Sequence, residues 1–191
     1  IFGKNPDKIW EFNNKNSYLL TNKTKKKIKG NPEKIIEKII ESFKFKTPAG
    51  LPPICSLISG YFSYDSIRYI EKIPNKCNDD LKLPDVRLLR PRTLVIHDNV
   101  KKKIFYIVNI FNDEKISNYK VKYLKIESEI NDLLLQASLK KNNSYKNSKA
   151  NIKVKSNTTK SNFLQMVNEA KKYIKIGDIF QVVLSQRFEA K

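Results

Sequence analysis

An apolar segment near the end of the sequence, GDIFQVVLSQRF, carries a glutamine at its centre and closes on polar residues. Side chains alternate across a β-strand, so the pattern predicts a strand over 179–188 with Phe180, Val182 and Leu184 on an apolar, more buried face. The opposite, mixed face consists of Gln181, Val183, Ser185 and Arg187. On that face the amide of Gln181 can donate and accept hydrogen bonds to a small substrate. A second interpretation stays open, in which Gln181 is a buried amide paired with backbone and the polar close is a solvated edge.

Other residue types that often carry chemistry are sparse. His97 is the only histidine and lies beside a predicted turn; a structural or solvent-exposed role is expected, because no orienting partner is identifiable. Cys55 and Cys77 show neither metal-site spacing nor a disulfide framework, so we expect reduced thiols in a cytoplasmic protein. The adjacent carboxylates at 79–80 lie in a predicted loop and are too few for a hard divalent cation. No apolar run approaches the ~18 residues of a membrane span.

The sequence is strongly basic, with 38 lysines and arginines against 19 acidic residues and a formal charge of +19 over 191 residues. Such a charge favours a polyanionic partner when it is concentrated on one face. Only five of the basic residues are arginine, however, and the lysines are spread along the whole chain. Proteins that read nucleic acid rely on arginine and on aromatics set among basic residues. A basic nucleic-acid-binding module is therefore the less favoured interpretation.

Three amphipathic helices are predicted from apolar residues at three- and four-residue spacing. The first covers 31–44 with Asn31 as its cap, and the second covers 113–136. The third is capped by a threonine or serine at 159–161 and stops at Gly177. The expected buried positions are Ile35, Ile36, Ile39, Ile40 and Phe43 in the first, Ile116, Tyr119, Tyr123, Ile126, Ile130, Leu133 and Ala137 in the second, and Phe163, Met166, Val167, Ala170 and Ile174 in the third.

Strands are predicted where apolar residues alternate between turn-forming residues. In IFGKNPDKIWEFNNKNSYLL the turns are expected at KNPD and at NNKN. Residues 93–111 are predicted to form two strands joined at the Asp-Asn pair 98–99. Gly60 lies in an apolar strand, where it allows a close approach of another backbone. The Lys-, Asn- and Ser-rich stretch 138–157 is predicted to be a linker or exposed loop.

Four segments of the sequence are similar, in the same order, to segments of a known enzyme family. They are IFGKNPDKIW, GYFSYDSIRYIEKIPN, DDLKLPDVRLLRPRTLVIHDNVKK and IKIGDIFQVVLSQRF. Together they occupy most of residues 1–12, 47–111 and 156–191, which is far more specific than a single short motif. The chain resembles anthranilate synthase component I, in the chorismate-utilising enzyme family.

The resemblance implies an α+β fold, with an antiparallel β sandwich and outer helices, of which this chain is expected to be an incomplete portion. It divides the chain into an N-terminal region over 1–137, the linker or loop over 138–157, and the start of the chorismate-binding domain over 158–191. The implied activity is that of a lyase of tryptophan biosynthesis, which adds ammonia to chorismate and eliminates pyruvate to give anthranilate. The implied cofactor is Mg²⁺, and the implied partner is a glutamine amidotransferase subunit that supplies ammonia.

The family's Mg²⁺ and chorismate ligands are expected downstream of Lys191, and its tryptophan-sensing segment upstream of Ile1. The fragment itself is therefore expected to be inactive. The resemblance favours an active-site-lining role for Gln181: related enzymes that add water have a lysine base at this position, and those that add ammonia have glutamine. Ammonia is already a nucleophile, so a neutral amide that orients it suffices. A sister enzyme, aminodeoxychorismate synthase component I, is the alternative, but its strand tends to carry asparagine where Val183 stands.

Overall fold

The computed structural model describes residues 1–14, 16–22, 24–76, 78–139 and 152–190. The chain forms two compact units, over 1–140 and 141–191. The elements of the first are β1 (Phe2–Asn13), β2 (Asn16–Leu20), β3 (Lys25–Ile28), α1 (Pro32–Ser42), β4 (Ser59–Phe62), a 3₁₀ helix (Tyr64–Tyr69), β5 (Val86–Asp98), β6 (Lys103–Val108) and α2 (Tyr119–Ser138). Those of the second are β7 (Val154–Ser156), α3 (Lys160–Ile176) and β8 (Phe188–Ala190). Antiparallel sheet plus helices confirm the predicted α+β class.

The first unit is built on one antiparallel sheet with the strand order β3-β2-β1-β5-β4. The long strand β5 pairs with β1 along one side, while β4 and β6 pair with successive parts of its other side. The turn predicted at KNPD is wrong, because those residues lie inside β1. Pro6 causes a register shift between Pro6 and Lys8 rather than a chain reversal, and the ladder to β5 resumes beyond it. A bulge accommodates a proline, which has no N–H for the ladder.

The core of the first unit lies on the face of the sheet that α1 covers. Alternate positions of β1 and β5 meet there, and the core cluster consists of Trp10, Phe12, Ile39, Val86 and Leu88. The predicted first helix is confirmed, and the side chain of its cap Asn31 accepts from the Glu33 backbone N–H at 3.0 Å. Ile40 departs from the expected buried stripe, since it is exposed on the outer side of the helix.

The second predicted helix begins later than its apolar spacing suggested. Residues Phe111–Glu114 form a turn, in which the Phe111 backbone N–H donates to Glu114 Oε1 at 3.0 Å, and α2 starts only at Tyr119. Its cap, Asn118, accepts from the Val121 backbone N–H at 3.1 Å. Because α2 packs against the sheet through its later turns, Leu133 is buried whereas Tyr119 is exposed. Tyr123 and Ala137, also predicted to be buried, are exposed as well.

The β5–β6 hairpin is confirmed, although its turn covers 99–102 and not the pair 98–99 alone. Asp98 Oδ1 shapes the turn by accepting the backbone N–H groups of Val100 at 3.0 Å and Lys101 at 2.9 Å. His97 is exposed at the end of β5, opposite Ile104.

The second unit contains α3 and a two-stranded sheet of β7 and β8. Thr159 caps α3 by accepting the Asn162 backbone N–H at 3.2 Å, and Gly177, with φ of 86°, ends it in the left-handed conformation, as predicted. None of the residues predicted to form a buried stripe on α3 is fully buried; Phe163, Val167 and Ala170 are half-buried, whereas Met166 and Ile174 are exposed. Residues 140–151 of the predicted linker lie outside the described residues, and β7 forms within the rest of it.

Candidate functional site

The segment that carries Gln181 differs from its sequence prediction. A strand was predicted over 179–188, but the only strand there is β8, which starts at Phe188. Phe180, expected on the buried face, is 95% exposed, while Leu184 is half-buried. The reason is that 179–187 has no partner strand among the described residues, and an isolated extended segment cannot bury a face.

An apolar groove runs between α3 and the segment that follows it. Its volume is about 450 Å³, and its lining consists of Asn162, Gln165, Met166, Glu169, Ala170, Tyr173, Ile179, Val182 and Leu184. Gln181 is exposed and does not line this groove. Its amide makes no hydrogen bond to any other described residue, so both its donor and its acceptor are available to a ligand.

The polar residues at the end of this segment attach it to β7. The Arg187 backbone N–H donates to Asn157 Oδ1 at 2.9 Å, and the Asn157 backbone N–H donates to the Arg187 carbonyl at 3.0 Å. Ser156 Oγ lies 2.9 Å from Gln186 Oε1, and Arg187 Nη2 lies 3.2 Å from Glu189 Oε1. No local pattern in the sequence marks Ser156 and Asn157 as residues of this site, because they lie 30 residues from their partners.

A buried ion cluster in the first unit joins β1, β5 and the turn after β6. Arg90, whose side chain is 10% exposed, donates from Nε to Asp7 Oδ1 and from Nη2 to Asp113 Oδ1, each at 2.9 Å. Lys8 also pairs with Asp113. Burial alone would lower the pKa of Arg90, but the bonds to the two carboxylates outweigh it and raise that pKa. Burial would likewise raise the pKa of Asp113, yet the bonds from Lys8 and Arg90 hold it below its usual value.

A second cluster fixes α2 and the preceding turn to the sheet. Glu114 Oε2 accepts from Arg92 Nη2 at 2.8 Å and from Lys122 Nζ at 3.1 Å. Burial would raise the pKa of Glu114, but these cations and the Phe111 backbone N–H lower it. Further along α2, Glu129 Oε1 accepts a hydrogen bond from Thr93 Oγ1 of β5 at 2.7 Å. All of these groups are used within the chain, so this cluster is structural.

The segment GYFSYDSIRYIEKIPN, which carries much of the resemblance, is also held by contacts within the chain. Arg68 binds Asp65 Oδ1 and the Ile73 carbonyl, both at 2.8 Å, and so ties the 3₁₀ helix to the loop that follows. Tyr69 donates to Asp85 Oδ2 at 2.9 Å; burial, followed by this bond, raises the pKa of Tyr69 far above that of an ordinary phenol. Gly60 is required by packing, as predicted, since a Cβ there would lie 2.0 Å from the Arg87 carbonyl oxygen.

The remaining residues predicted from sequence do not form a site. Cys55 is buried and unpaired, whereas Cys77 lies outside the described residues. Within the described ranges no group of three or more His, Cys, Asp or Glu side chains could hold a metal ion. No helix in the described part of the chain is long and apolar enough to cross a membrane.

Comparison with known proteins places this architecture in a family. Residues 4–191 match the family model described as chorismate binding enzyme. The chain belongs to that family. Its fold is similar to that of anthranilate synthase component I from Streptococcus pneumoniae, with a TM-score of 0.75 at 24% identity over 98% of this chain and 40% of that one.

Individual named proteins are also similar to this chain in sequence. The chain is 38% identical to anthranilate synthase component 1 of Acetivibrio thermocellus, over 98% of this chain and 39% of the relative. It is 34% identical to anthranilate synthase alpha subunit 2, chloroplastic, of Arabidopsis thaliana, over 84% of this chain and 28% of the relative. The chain thus spans at most about two fifths of the length of these relatives.

Proposed function

We propose that this chain is part of the large subunit of anthranilate synthase and serves tryptophan biosynthesis in the cytoplasm. The observation that carries the proposal is the match to proteins named anthranilate synthase component 1 along 98% of the chain, together with the chorismate binding family model over residues 4–191. The complete protein then converts chorismate and ammonia to anthranilate, pyruvate and water. Ammonia reaches it from glutamine through a separate amidotransferase subunit.

Mg²⁺ is the cofactor proposed for the complete protein. The described residues contain no cluster of carboxylates that fits it, and hard divalent cations need several oxygen ligands. We therefore assign no Mg²⁺ ligand and no step through the metal to any residue of this chain. The domain division proposed from the resemblance remains 1–137, 138–157 and 158–191.

Gln181 is the residue of this chain that we assign to the reaction, as a lining residue that orients ammonia. Its exposed amide has no hydrogen-bond partner among the described residues. An amide oxygen accepts an N–H of ammonia without removing a proton, so the lone pair on nitrogen stays available for attack on the ring. A base is needed when the nucleophile is water and not when it is ammonia.

The proposed function is tested with the complete protein, chorismate, Mg²⁺ and an ammonium salt. We expect fluorescent anthranilate and an equimolar amount of pyruvate. Addition of the amidotransferase subunit should allow glutamine to replace the ammonium salt. An aminated chorismate without pyruvate release would instead identify the sister enzyme, aminodeoxychorismate synthase. Absence of any amination product would refute the proposal.

Gln181→Lys tests the role of the amide in that complete protein. A protonated lysine cannot accept a hydrogen bond from ammonia, so anthranilate formation at saturating ammonia should fall at least about tenfold, equivalent to ~1.4 kcal/mol of barrier. The matched control is Gln136→Lys, which makes the same change at an exposed position of α2. Full activity of a normally folded Gln181→Lys protein would show that the residue is structural.

A further inference from the structure

A pocket of about 300 Å³ opens beside the buried guanidinium of Arg90 in the first unit. We call it the Arg90 pocket, and its lining consists of Ser42, Phe43, Lys44, Phe45, Ser56, Arg90, Asn109, Ile110, Phe111, Asn112 and Asp113. The end of α1 and the turn after β6 supply most of these residues. Its volume suits a single small-molecule ring with one or two substituents.

The guanidinium of Arg90 has donors that the chain does not use. Arg90 Nε and Nη2 bind Asp7 and Asp113, which accounts for three of its five N–H groups. Nη1 makes no hydrogen bond to any described residue, although the side chain is nine-tenths buried. Because a guanidinium is a rigid planar fork, Nη1 lies on the side turned away from the Asp7 carboxylate. The two unused N–H donors on Nη1 can therefore donate to an oxyanion, which is a good hydrogen-bond acceptor.

The walls of the pocket are aromatic on two sides. The Arg90 guanidinium carbon lies 3.7 Å from the centre of the Phe111 ring, so the ring and the cation form one stacked wall. Phe43 and Phe45 meet edge to face with ring centres 5.9 Å apart, and Phe45 remains 46% exposed. Aromatic edges and faces of this kind favour contact with a planar or compact ring.

The charges of the lining favour a monoanion. Lys44 and Arg90 are basic and Asp113 is acidic, and the Asp113 carboxylate is already bound by Arg90 and by Lys8. Asp7 also binds Arg90, so the two carboxylates balance Arg90 and Lys8, and the positive charge that remains is that of Lys44. Lys44 is one of the lining residues and makes no ion pair with any other described residue.

We propose that the Arg90 pocket binds a small carboxylate that carries a ring, with the carboxylate at Arg90 Nη1 and Lys44 and the ring against Phe45 and Phe111. The site belongs to the first unit and does not depend on the proposed enzymatic function. Neither Gln181 nor any other residue of the second unit lines it.

The test is calorimetric titration of the complete protein with benzoate as the probe, and with benzamide and acetate as comparisons. Benzoate should bind with a Kd of about 1 mM or tighter, as ordinary ligand efficiency allows for about nine heavy atoms. Benzamide lacks the charge and acetate lacks the ring, so each should bind at least about fivefold more weakly. Chorismate should not compete, because it is a dianion with three ring substituents, whereas this pocket suits a monoanionic ring with one or two.

Arg90 itself is not substituted, because it is held by two carboxylates and its replacement would disturb the fold around them. Two other lining residues are substituted instead, so that the test does not depend on folding. Lys44→Gln should raise the Kd for benzoate at least about fivefold, whereas the matched control Lys46→Gln, two residues along and outside the lining, should leave it unchanged. Asn112→Asp adds a negative charge to the lining and should weaken benzoate more than benzamide.

Three results would overturn the inference. They are a lack of saturable benzoate binding at 10-fold the expected Kd, equal affinity for benzoate and benzamide, and equal effects of Lys44→Gln and Lys46→Gln. Competition by chorismate, or loss of benzoate binding in Gln181→Lys, would assign the binding to the proposed reaction site and would likewise refute a separate pocket. An inactive protein that still binds benzoate would refute only the proposed function.

Discussion

Phe12 and Phe180 are the same residue type in two apolar segments, and their environments are opposite. Phe12 lies in β1 and is fully buried, with β2 on one side of its strand and β5 on the other. Phe180 follows α3 and is 95% exposed, in a segment that pairs with no strand among the described residues. Local hydrophobicity is therefore not what buries a side chain here. Partner strands on both sides of the backbone and a helix over the face make the difference.

The same contrast separates the two compact units. Residues 152–190 contain no buried side chain, and their structure rests on helix caps and the short β7–β8 ladder. The first unit combines a core on the covered face of its sheet with ion clusters at Arg90 and Glu114. Apolar burial contributes roughly 25 cal/mol per Å², so the first unit should resist unfolding far better than the second.

The largest effect is expected from Phe12→Ala, which removes a fully buried ring from the core. The free energy of unfolding should fall by about 3–5 kcal/mol, because the loss of transfer free energy is increased by the cavity left behind. Urea unfolding followed through Trp10, the single tryptophan of the sequence and a member of the same core, measures it. Phe2→Ala, on the same strand but 60% exposed, is the control and should cost far less.

A loss of under 1 kcal/mol for Phe12→Ala would show that the core is loosely packed. It would also remove the distinction between the two units.

A smaller effect is expected from Gly60→Ala in β4. The new Cβ would lie 2.0 Å from the Arg87 carbonyl oxygen and 2.9 Å from Leu88 Cα, so the backbones of β4 and β5 must separate. Overpacking of this kind costs about 1–3 kcal/mol, measurable as a lower urea midpoint of Trp10 fluorescence. Ser59→Ala, beside it on the same exposed strand, should change stability by less than about 0.5 kcal/mol. Equal midpoints for the two variants would contradict the close approach.

The part of the fold that the sequence could predict consists of local features, namely helix caps, one hairpin and one close approach of strands. Asn31, Thr159 and Gly177 act within one helical turn of their own positions, and the β5–β6 hairpin requires pairing only across a short loop. Propensity and capping depend on neighbouring residues, which a single sequence displays in full. Gly60 was found because a glycine within an apolar strand is costly without a packing reason.

The failures at 179–188 and at KNPD depend on residues far away in the chain. The strand predicted at 179–188 required a partner strand, and the turn predicted at KNPD was overridden by pairing with β5, more than 80 residues later. The ion cluster at Arg90 likewise joins Asp7 and Asp113 across 83 and 23 residues, and no spacing rule connects them. Ser156 and Asn157 of the candidate site could not be predicted for the same reason, since they meet their partners only in the folded chain.

Acidification should act on the first unit through its ion clusters. The pKa values of Asp113 and Glu114 are lower in the folded protein than in the unfolded chain. Their contribution to stability is therefore present above the ordinary carboxyl pKa of about 4 and is lost as the pH falls through the lower folded values. Because Asp113 is partly exposed, solvent screens its ion pairs and its share should be about 0.5–1 kcal/mol.

The measurement compares urea midpoints at pH 6 and pH 3. Asp113→Asn should lose less stability than the unaltered protein over this interval, because it has one carboxylate fewer to protonate. Asp132→Asn, an exposed position of α2, should follow the unaltered protein. If the Asp113 variant loses as much stability as the Asp132 variant, the cluster is not a source of acid sensitivity.

The smallest effect is expected from Phe180→Ala, the counterpart of Phe12→Ala. The Phe180 ring is already 95% exposed, so its removal takes almost no apolar surface out of a folded environment and leaves no cavity. The free energy of unfolding, measured by urea denaturation, should change by less than about 0.5 kcal/mol, as for other surface substitutions, and hydrogen exchange of the α3 amides should be unchanged. In the complete protein the same substitution is more informative. A loss of more than about 2 kcal/mol there would mean that a further part of the protein covers Phe180.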